Sequence, residues 1–125
     1  MDKSFKALWI SSPENDPNEF KDSQSEIRET KINELTDGDV TLKAQYSGIN
    51  YKDALAVTGK GKILRSLPLI PGIDVAGVVV ESKSDRFKEG DEVLINGCNL
   101  GEKLTGGFSQ YLRVPHDILI HRPKD

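Results

Sequence analysis

Cys98 is the one cysteine in 125 residues, which excludes an intramolecular disulfide framework and any four-cysteine zinc lobe. Neither sign of charge dominates, since 17 Lys and Arg stand against 20 Asp and Glu for a net charge of −3. No basic run is long enough to grip a phosphate backbone, so nucleic acid is not an expected partner. Long apolar runs are missing as well. The N-terminal MDKSFKALWISSP has no apolar core of signal-peptide length and nothing approaches a membrane span. With the scarcity of cysteine, this points to the cytoplasm and to no membrane partner. A strand–GxGxxG–helix unit is also absent, so a dinucleotide-binding fold of the usual kind is not encoded. Gly59-Lys60-Gly61 comes nearest, but Leu64 stands where the third glycine would fall. That run also follows a helical pattern, whereas the fingerprint follows a strand.

What is present fits one soluble globular domain, with 36% hydrophobic and 30% charged residues, able to bury roughly two-thirds of its unfolded surface. Val40, Leu42, Ala44 and Tyr46 alternate with Thr41, Lys43, Gln45 and Ser47, the cleanest period-two pattern in the chain. It predicts a half-buried strand. Further strands are expected over Phe5 to Ile10, Ile27 to Leu35, Val75 to Val80, Glu92 to Ile95, Phe108 to Val114 and Ile118 to Ile120. Ser11 to Ser25, with Pro13 and Pro17, reads as a loop or as a hairpin with a poor hydrophobic signal. Asp37-Gly38-Asp39 and Phe87 to Asp91 read as turns, and Asn96 to Gly107 as a glycine-rich loop. Tyr51 to Thr58 predicts a helix of one to two turns, with Gly59 at the C-cap position. Gly77, inside an apolar run, marks a bulge or a close backbone approach. Many short strands with a single short helix predict a mainly β fold, a compact barrel or rolled sheet.

The chemistry concentrates at Asn50-Tyr51-Lys52-Asp53, immediately after the alternating strand. An amide, a phenol, an ammonium and a carboxylate share four positions there, and loops on rigid strands are where binding and catalytic groups collect. The same residues also read as a helix cap, with Asn50 as N-cap and Asp53 three residues on. Lys60, Lys62 and Arg65 make a basic loop that reads either as a phosphate contact or as an ordinary solvated surface. Ile70, Ile73 and Val75 are expected in the core or in a pocket wall.

Four motifs resemble the medium-chain dehydrogenases/reductases, in the order found in that superfamily: Asn50 to Asp53, Pro71-Gly72-Ile73-Asp74-Val75-Ala76-Gly77, Phe87 to Val93, and Gly106-Gly107-Phe108-Ser109-Gln110-Tyr111. GINYKDALAVTGKGKI and PLIPGIDVAG are most similar to its zinc-free quinone oxidoreductase branch, in the subgroup that includes acryloyl-CoA reductases. The resemblance runs over nearly the whole chain and is weakest over residues 11–33.

The resemblance implies a GroES-like catalytic domain over residues 1–125, a rolled, partly open β-barrel with one or two short helices. It implies that the Rossmann domain that follows in that superfamily is missing from this chain. The activity implied is hydride transfer from NADPH to an α,β-unsaturated acyl-CoA such as acryloyl-CoA, an enone or a quinone, in a small-molecule reductase that is homodimeric at full length. By position in the motif, Asn50 lines the nicotinamide pocket as a donor, and Tyr51 stands near both cofactor and substrate as donor and acid. Lys52 and Asp53 either pair with each other or contact cofactor and substrate. Lys60, Lys62 and Arg65 take the phosphates of an acyl-CoA or of NADPH, unless they are only a solvated loop. No metal is implied: the zinc-dependent members place a cysteine where this chain has Asn50, and Gly-His-Glu where it has Gly72-Ile73-Asp74. Cys98, His116 and His121 are left as surface or structural residues. The alternative is a GroES-like barrel that serves as an interaction module without catalytic activity.

Overall fold

The computed structural model describes residues 4–12, 23–58, 63–64 and 67–123. Seven strands and one helix follow in the order β1 (Phe5–Ser11), β2 (Gln24–Thr30), β3 (Val40–Ser47), α1 (Tyr51–Thr58), β4 (Asp74–Ser82), β5 (Glu92–Asn96), β6 (Tyr111–Val114) and β7 (Ile120–His121). Short 3₁₀ turns cover Ile32–Glu34 and His116–Ile118. β1 and β2 form an antiparallel pair, and the other five strands form a second antiparallel sheet in the order β6-β3-β4-β5-β7. Isolated bridges, Ala7 to Ser109 and Ile10 to Leu69, lay β1 against the larger sheet without closing it. The expected mainly β, rolled and open architecture is what forms.

The core lies in three clusters. Val40, Leu42, Val79, Val93, Ile95, Leu112 and Val114 face inward from the larger sheet and are at most 2% exposed. β1 is buried along one face, where Phe5, Ala7 and Trp9 pack with Leu35 and Ile70, and near its end on the other, where Ile10 packs with Ala56, Leu64, Leu67 and Leu69. That second face seats α1 over the strand that bridges to Leu69. Eight residues make a helix marginal in isolation, so α1 is held by the packing of Ala56 against Ile10 and the neighbouring leucines.

Several expected boundaries shift, each for a local reason. The strand expected over Ile27 to Leu35 runs instead from Gln24 to Thr30. Trp9 Nε1 donates to the fully buried Thr30 Oγ1 at 2.8 Å, and the Lys31 N–H then donates to Glu34 Oε2 at 2.7 Å, turning the chain into a 3₁₀ turn. Of the strand expected from Phe108, Tyr111–Val114 pairs in register with β3, while Phe108 O accepts from Leu8 N–H of β1 and Gln110 bridges the two, its N–H donating to Lys6 O and its carbonyl accepting from Ala44 N–H. Residues 118–120 are likewise divided, the 3₁₀ turn ending at Ile118 and β7 beginning at Ile120. Tyr46, expected on the buried face of β3, is 77% exposed. The β3–β4 register slips between Ala44 and Tyr46, and a bulge of this kind re-aims the side chains beyond it. Gly77 sits opposite Ala44, where any Cβ would run into the Lys43 carbonyl. Both readings of that glycine, bulge and close approach, therefore hold.

Asp39 ties the start of β3 to the chain's last turn. Its carboxylate accepts from the His116 backbone N–H at 2.8 Å and from His116 Nδ1 at 2.6 Å, while its carbonyl accepts from Lys83 N–H. The His116 side chain holds the Asp39 carboxyl below its ordinary value, against an opposing push from burial. A carboxyl depressed in the folded state stabilises above its unfolded pKa of about 3.9 and loses that contribution as pH falls through the lower folded value. Asp39→Asn should lower Tm at pH 7 by roughly 3–6 °C, the shift made by about 1 kcal/mol in a domain of this size. Thermal melts of the two proteins should begin to converge below about pH 4 and meet once the pH is below the lowered folded value. A gap that persists undiminished at pH 3 would count against a role for the carboxylate charge.

Candidate active site

Three segments meet at one end of the larger sheet: the exit of β3 into α1, the entry of β4, and the loop from Gly97 to Gly107. Pro71-Gly72 is the crossing point. Gly107 N–H donates to Gly72 O at 3.1 Å, Phe108 N–H to Pro71 O at 3.1 Å, and Gly106 N–H to Ile70 O at 2.8 Å. Gly72 has φ +112°, a backbone region L side chains avoid. A Cβ on Gly101 or Gly106 would collide with the Gly72 backbone. Glycine is therefore required on both sides of the crossing. Ser47 Oγ adds a 2.5 Å bond to Gly107 O, Gly48 N–H donates to Asp74 O at 3.0 Å, and Gly97 N–H donates to Ile73 O at 3.3 Å.

On this frame the expected polar cluster divides by role. Asp53 is 2% exposed, and its Oδ2 accepts the Asn50 backbone N–H at 2.8 Å. The Asn50 carbonyl in turn accepts from Asp53 N and Ala54 N at 3.0 and 3.2 Å. This is the return half of a capping box. The other half is unmade, because the Asn50 side chain turns away and donates through Nδ2 to Asp74 Oδ2 at 2.6 Å. The Lys52–Asp53 pair does not form: Lys52 Nζ lies 3.7 Å from Glu102 Oε1. The lysine is 59% exposed, so that contact is weak. Tyr51 points outward at 79% exposure, beside Ile49 at 84% and Tyr46. Three large apolar side chains are thus uncovered within six positions of a chain of mean hydropathy −0.47.

Ile70 and Val75 are buried, whereas Ile73 is only half-buried. Lys60, Lys62 and Arg65 lie outside the described residues. Cys98 is exposed with φ 55°, its Sγ 3.7 Å from Asn96 O. His116 is bound to Asp39, and His121 stacks on Phe87 with ring centroids 4.4 Å apart, so both have structural partners. No group of three or more His, Cys, Asp and Glu residues is arranged to hold a metal among the described residues. Sequence reasoning did not single out Asp74, Glu102, Tyr46 or Ile49 as site residues. Asp74 stood inside a recognised motif, but its link to Asn50 spans 24 residues and has no periodic signature. Among the described residues no helix is long and apolar enough to cross a membrane.

Asp53→Ala removes the acceptor that caps α1 and should cost about 1–2 kcal/mol. Urea unfolding should show this as a lower midpoint at unchanged slope. An unchanged midpoint would release Asp53 from its structural role and return it to the candidates for chemistry.

Comparison with known proteins places this geometry. The alcohol dehydrogenase GroES-like domain profile matches residues 36–124. The chain is 37% identical over 120 residues to the acrylyl-CoA reductase AcuI of Ruegeria pomeroyi, covering 96% of this chain and 35% of that protein. It superposes with a TM-score of 0.84 on the crystal structure of Escherichia coli K-12 YhdH with bound NADPH, at 41% identity over 94% of this chain and 35% of that one. For Bacillus subtilis YhfP with NAD bound the TM-score is 0.85, at 39% identity over 98% of this chain and 36% of that one. The chain thus spans about a third of the length of the relatives it matches. AcuI is named a reductase and YhfP a putative quinone oxidoreductase, and the YhdH and YhfP structures hold a nicotinamide cofactor. The chain belongs to the alcohol dehydrogenase GroES-like domain family.

Proposed function

We propose that this chain is the substrate-side domain of a cytoplasmic, zinc-independent reductase that uses NADPH to reduce an activated double bond. The substrate class is an α,β-unsaturated acyl-CoA resembling acryloyl-CoA, an enone or a quinone. The relatives' names and bound cofactors support that class, and one observation in this molecule carries it. Tyr46, Ile49 and Tyr51 stand 77–84% exposed within four residues of Asn50, whose side chain is bonded to Asp74, so apolar groups and fixed polar ones are exposed in one short stretch. A nicotinamide ring and a conjugated acceptor need such a surface, apolar to stack on and with a few fixed hydrogen-bonding groups. The dinucleotide's pyrophosphate would be anchored by a nucleotide-binding domain outside this chain, and the whole enzyme would be a homodimer that binds no nucleic acid.

When bound, NADPH supplies the hydride. Reduction of a conjugated carbonyl builds negative charge on oxygen, and a donor aimed at that oxygen lowers the barrier. The Tyr51 phenol, exposed at the mouth of the cluster, is the donor we assign, and it can pass a proton to the reduced acceptor. Lys52, held only loosely by Glu102, can turn its ammonium toward the same developing charge. Asp53 serves by fixing the start of α1 and with it the direction of Tyr51. Lys60, Lys62 and Arg65 remain candidates for the phosphates of an acyl-CoA or of NADPH. An interaction module with no chemistry is the other reading that the exposed apolar surface would support.

In the enzyme with its nucleotide-binding domain, Tyr51→Phe keeps the ring and should lower turnover by roughly ten- to a thousand-fold with stability nearly unchanged. Full turnover in that variant would reduce Tyr51 to a packing surface. The purified protein should contain no stoichiometric zinc. Elemental analysis finding one zinc per chain would refute the metal-free reading.

A further inference from the structure

The backbone N–H of Asn50 goes to Asp53, its carbonyl accepts from α1, and one of its two side-chain N–H groups donates to Asp74 at 2.6 Å. The side-chain carbonyl Oδ1 and the second N–H remain. Which way an Asn amide faces follows from its partners, and here the partner leaves no choice. An ionised carboxylate only accepts. Turning the amide over would bring Oδ1 against Asp74 Oδ2 at contact distance, exchanging a charge-assisted bond for a repulsion between two acceptors.

Asp74 is itself held firmly. It opens β4, its backbone carbonyl takes the Gly48 N–H, and its Cβ lies beneath Gly48, 3.4 Å from where a side chain there would begin. Its second oxygen, Oδ1, is buried and makes no hydrogen bond among the described residues, so the carboxylate's one side-chain partner is Asn50. We propose that Asp74 is a positioning residue that sets the hydrogen-bond polarity of Asn50. Position 50 then presents Oδ1 as an acceptor at a fixed point and selects a ligand with an N–H or O–H donor opposite it, the remaining amide N–H lying beside it. This rests on the reading that the Asn50 face receives the nicotinamide end of NADPH, where a carboxamide N–H and sugar hydroxyls are both donors. It adds a placed acceptor to the donor role expected for Asn50 from its motif.

Nuclear magnetic resonance on the isotopically labelled chain tests the two parts separately. In the native chain one proton of the Asn50 side-chain amide should lie well downfield of its partner, as bonding to a carboxylate requires. In Asp74→Asn, whose amide can meet Asn50 either way round, that offset should vanish while the backbone signals of β4 and α1 stay in place. NADPH titrated to tens of millimolar should shift the Asn50 side-chain carbonyl carbon, with affinity at least threefold weaker in Asp74→Asn. The reduced 3-acetylpyridine analogue of NADPH has no carboxamide N–H. A smaller Asn50 shift with it assigns the carboxamide as donor, and an equal shift assigns a sugar hydroxyl. No offset in the native chain, or equal NADPH affinity in Asp74→Asn, would overturn the proposal. If that variant fails to fold, Asn50→Ala, at an exposed position, should show the same threefold loss, and unchanged affinity there would equally overturn it. An intact offset with no NADPH binding at any concentration would instead remove the cofactor reading and leave the grip of Asp74 on Asn50 standing.

Discussion

Backbone meets backbone at Pro71-Gly72, with no side chain between. The carbonyls of Ile70, Pro71 and Gly72 accept the N–H groups of Gly106, Phe108 and Gly107 in turn, and the space around the crossing admits only hydrogen at positions 101 and 106. An added methyl there would have to push backbone, which moves far less readily than a side chain. Because the crossing is satisfied by main-chain bonds, it fixes the glycine-rich loop without an apolar core of its own. The loop then delivers Glu102 toward Lys52 and Gly107 toward Ser47, and β4 leaves the crossing with Asp74 already beneath Gly48. The site is assembled by this contact before any of its side chains act.

Two carboxylates around Asn50 show how a short helix start can be made specific. Asp53 and Asp74 each give one oxygen to Asn50, the first to its backbone and the second to its side chain. In each, the other oxygen is buried without a hydrogen bond among the described residues. Buried acceptors left unpaired carry a cost, which the bond each carboxylate makes to Asn50 offsets. What they secure is a defined orientation for residues 50–51, which leave a strand on one side and enter a helix on the other. A Ser or Thr cap would satisfy the helix equally well, but it would leave the direction of a side-chain amide unspecified.

The local features of this chain were legible in its residues, and the long-range ones were not. The strand at Val40–Ser47, the helix at Tyr51–Thr58 and the special status of Gly77 follow from period and from single-residue sterics, although Thr41, expected on the open face, is buried. The cap made by Asp53 was visible as spacing, since a partner three residues on is a helix rule. Asp74 as the partner of Asn50, and Glu102 as that of Lys52, needed a contact across 24 and 50 residues, set by the glycine crossing. Tyr46 misled because period-two logic assumes an unbroken ladder, and the slip opposite Gly77 breaks it. The strand expected to continue to Leu35 failed for a related reason, since a buried Thr30–Trp9 bond outweighs the propensity of the residues beyond it.

The exposure of Tyr46, Ile49 and Tyr51 makes sense only beside the immobility of what surrounds them. Each lies within a few residues of an anchored position: Ser47 bonded to Gly107, Gly48 to Asp74, and Asn50 to both Asp53 and Asp74. A surface loop with nothing to do would be free to fold such side chains down onto the sheet, since each apolar group buried gains about 25 cal/mol per Å². Here the backbone bonds hold them out, and the hydration cost is accepted in exchange for a surface that needs no rearrangement to meet a ligand. Preorganisation of this kind reduces the entropy lost on binding. It also explains why the polar atoms in the patch are so fully specified by the protein itself: of the hydrogen-bonding groups on Asn50, the side-chain carbonyl is the acceptor left for a partner to find.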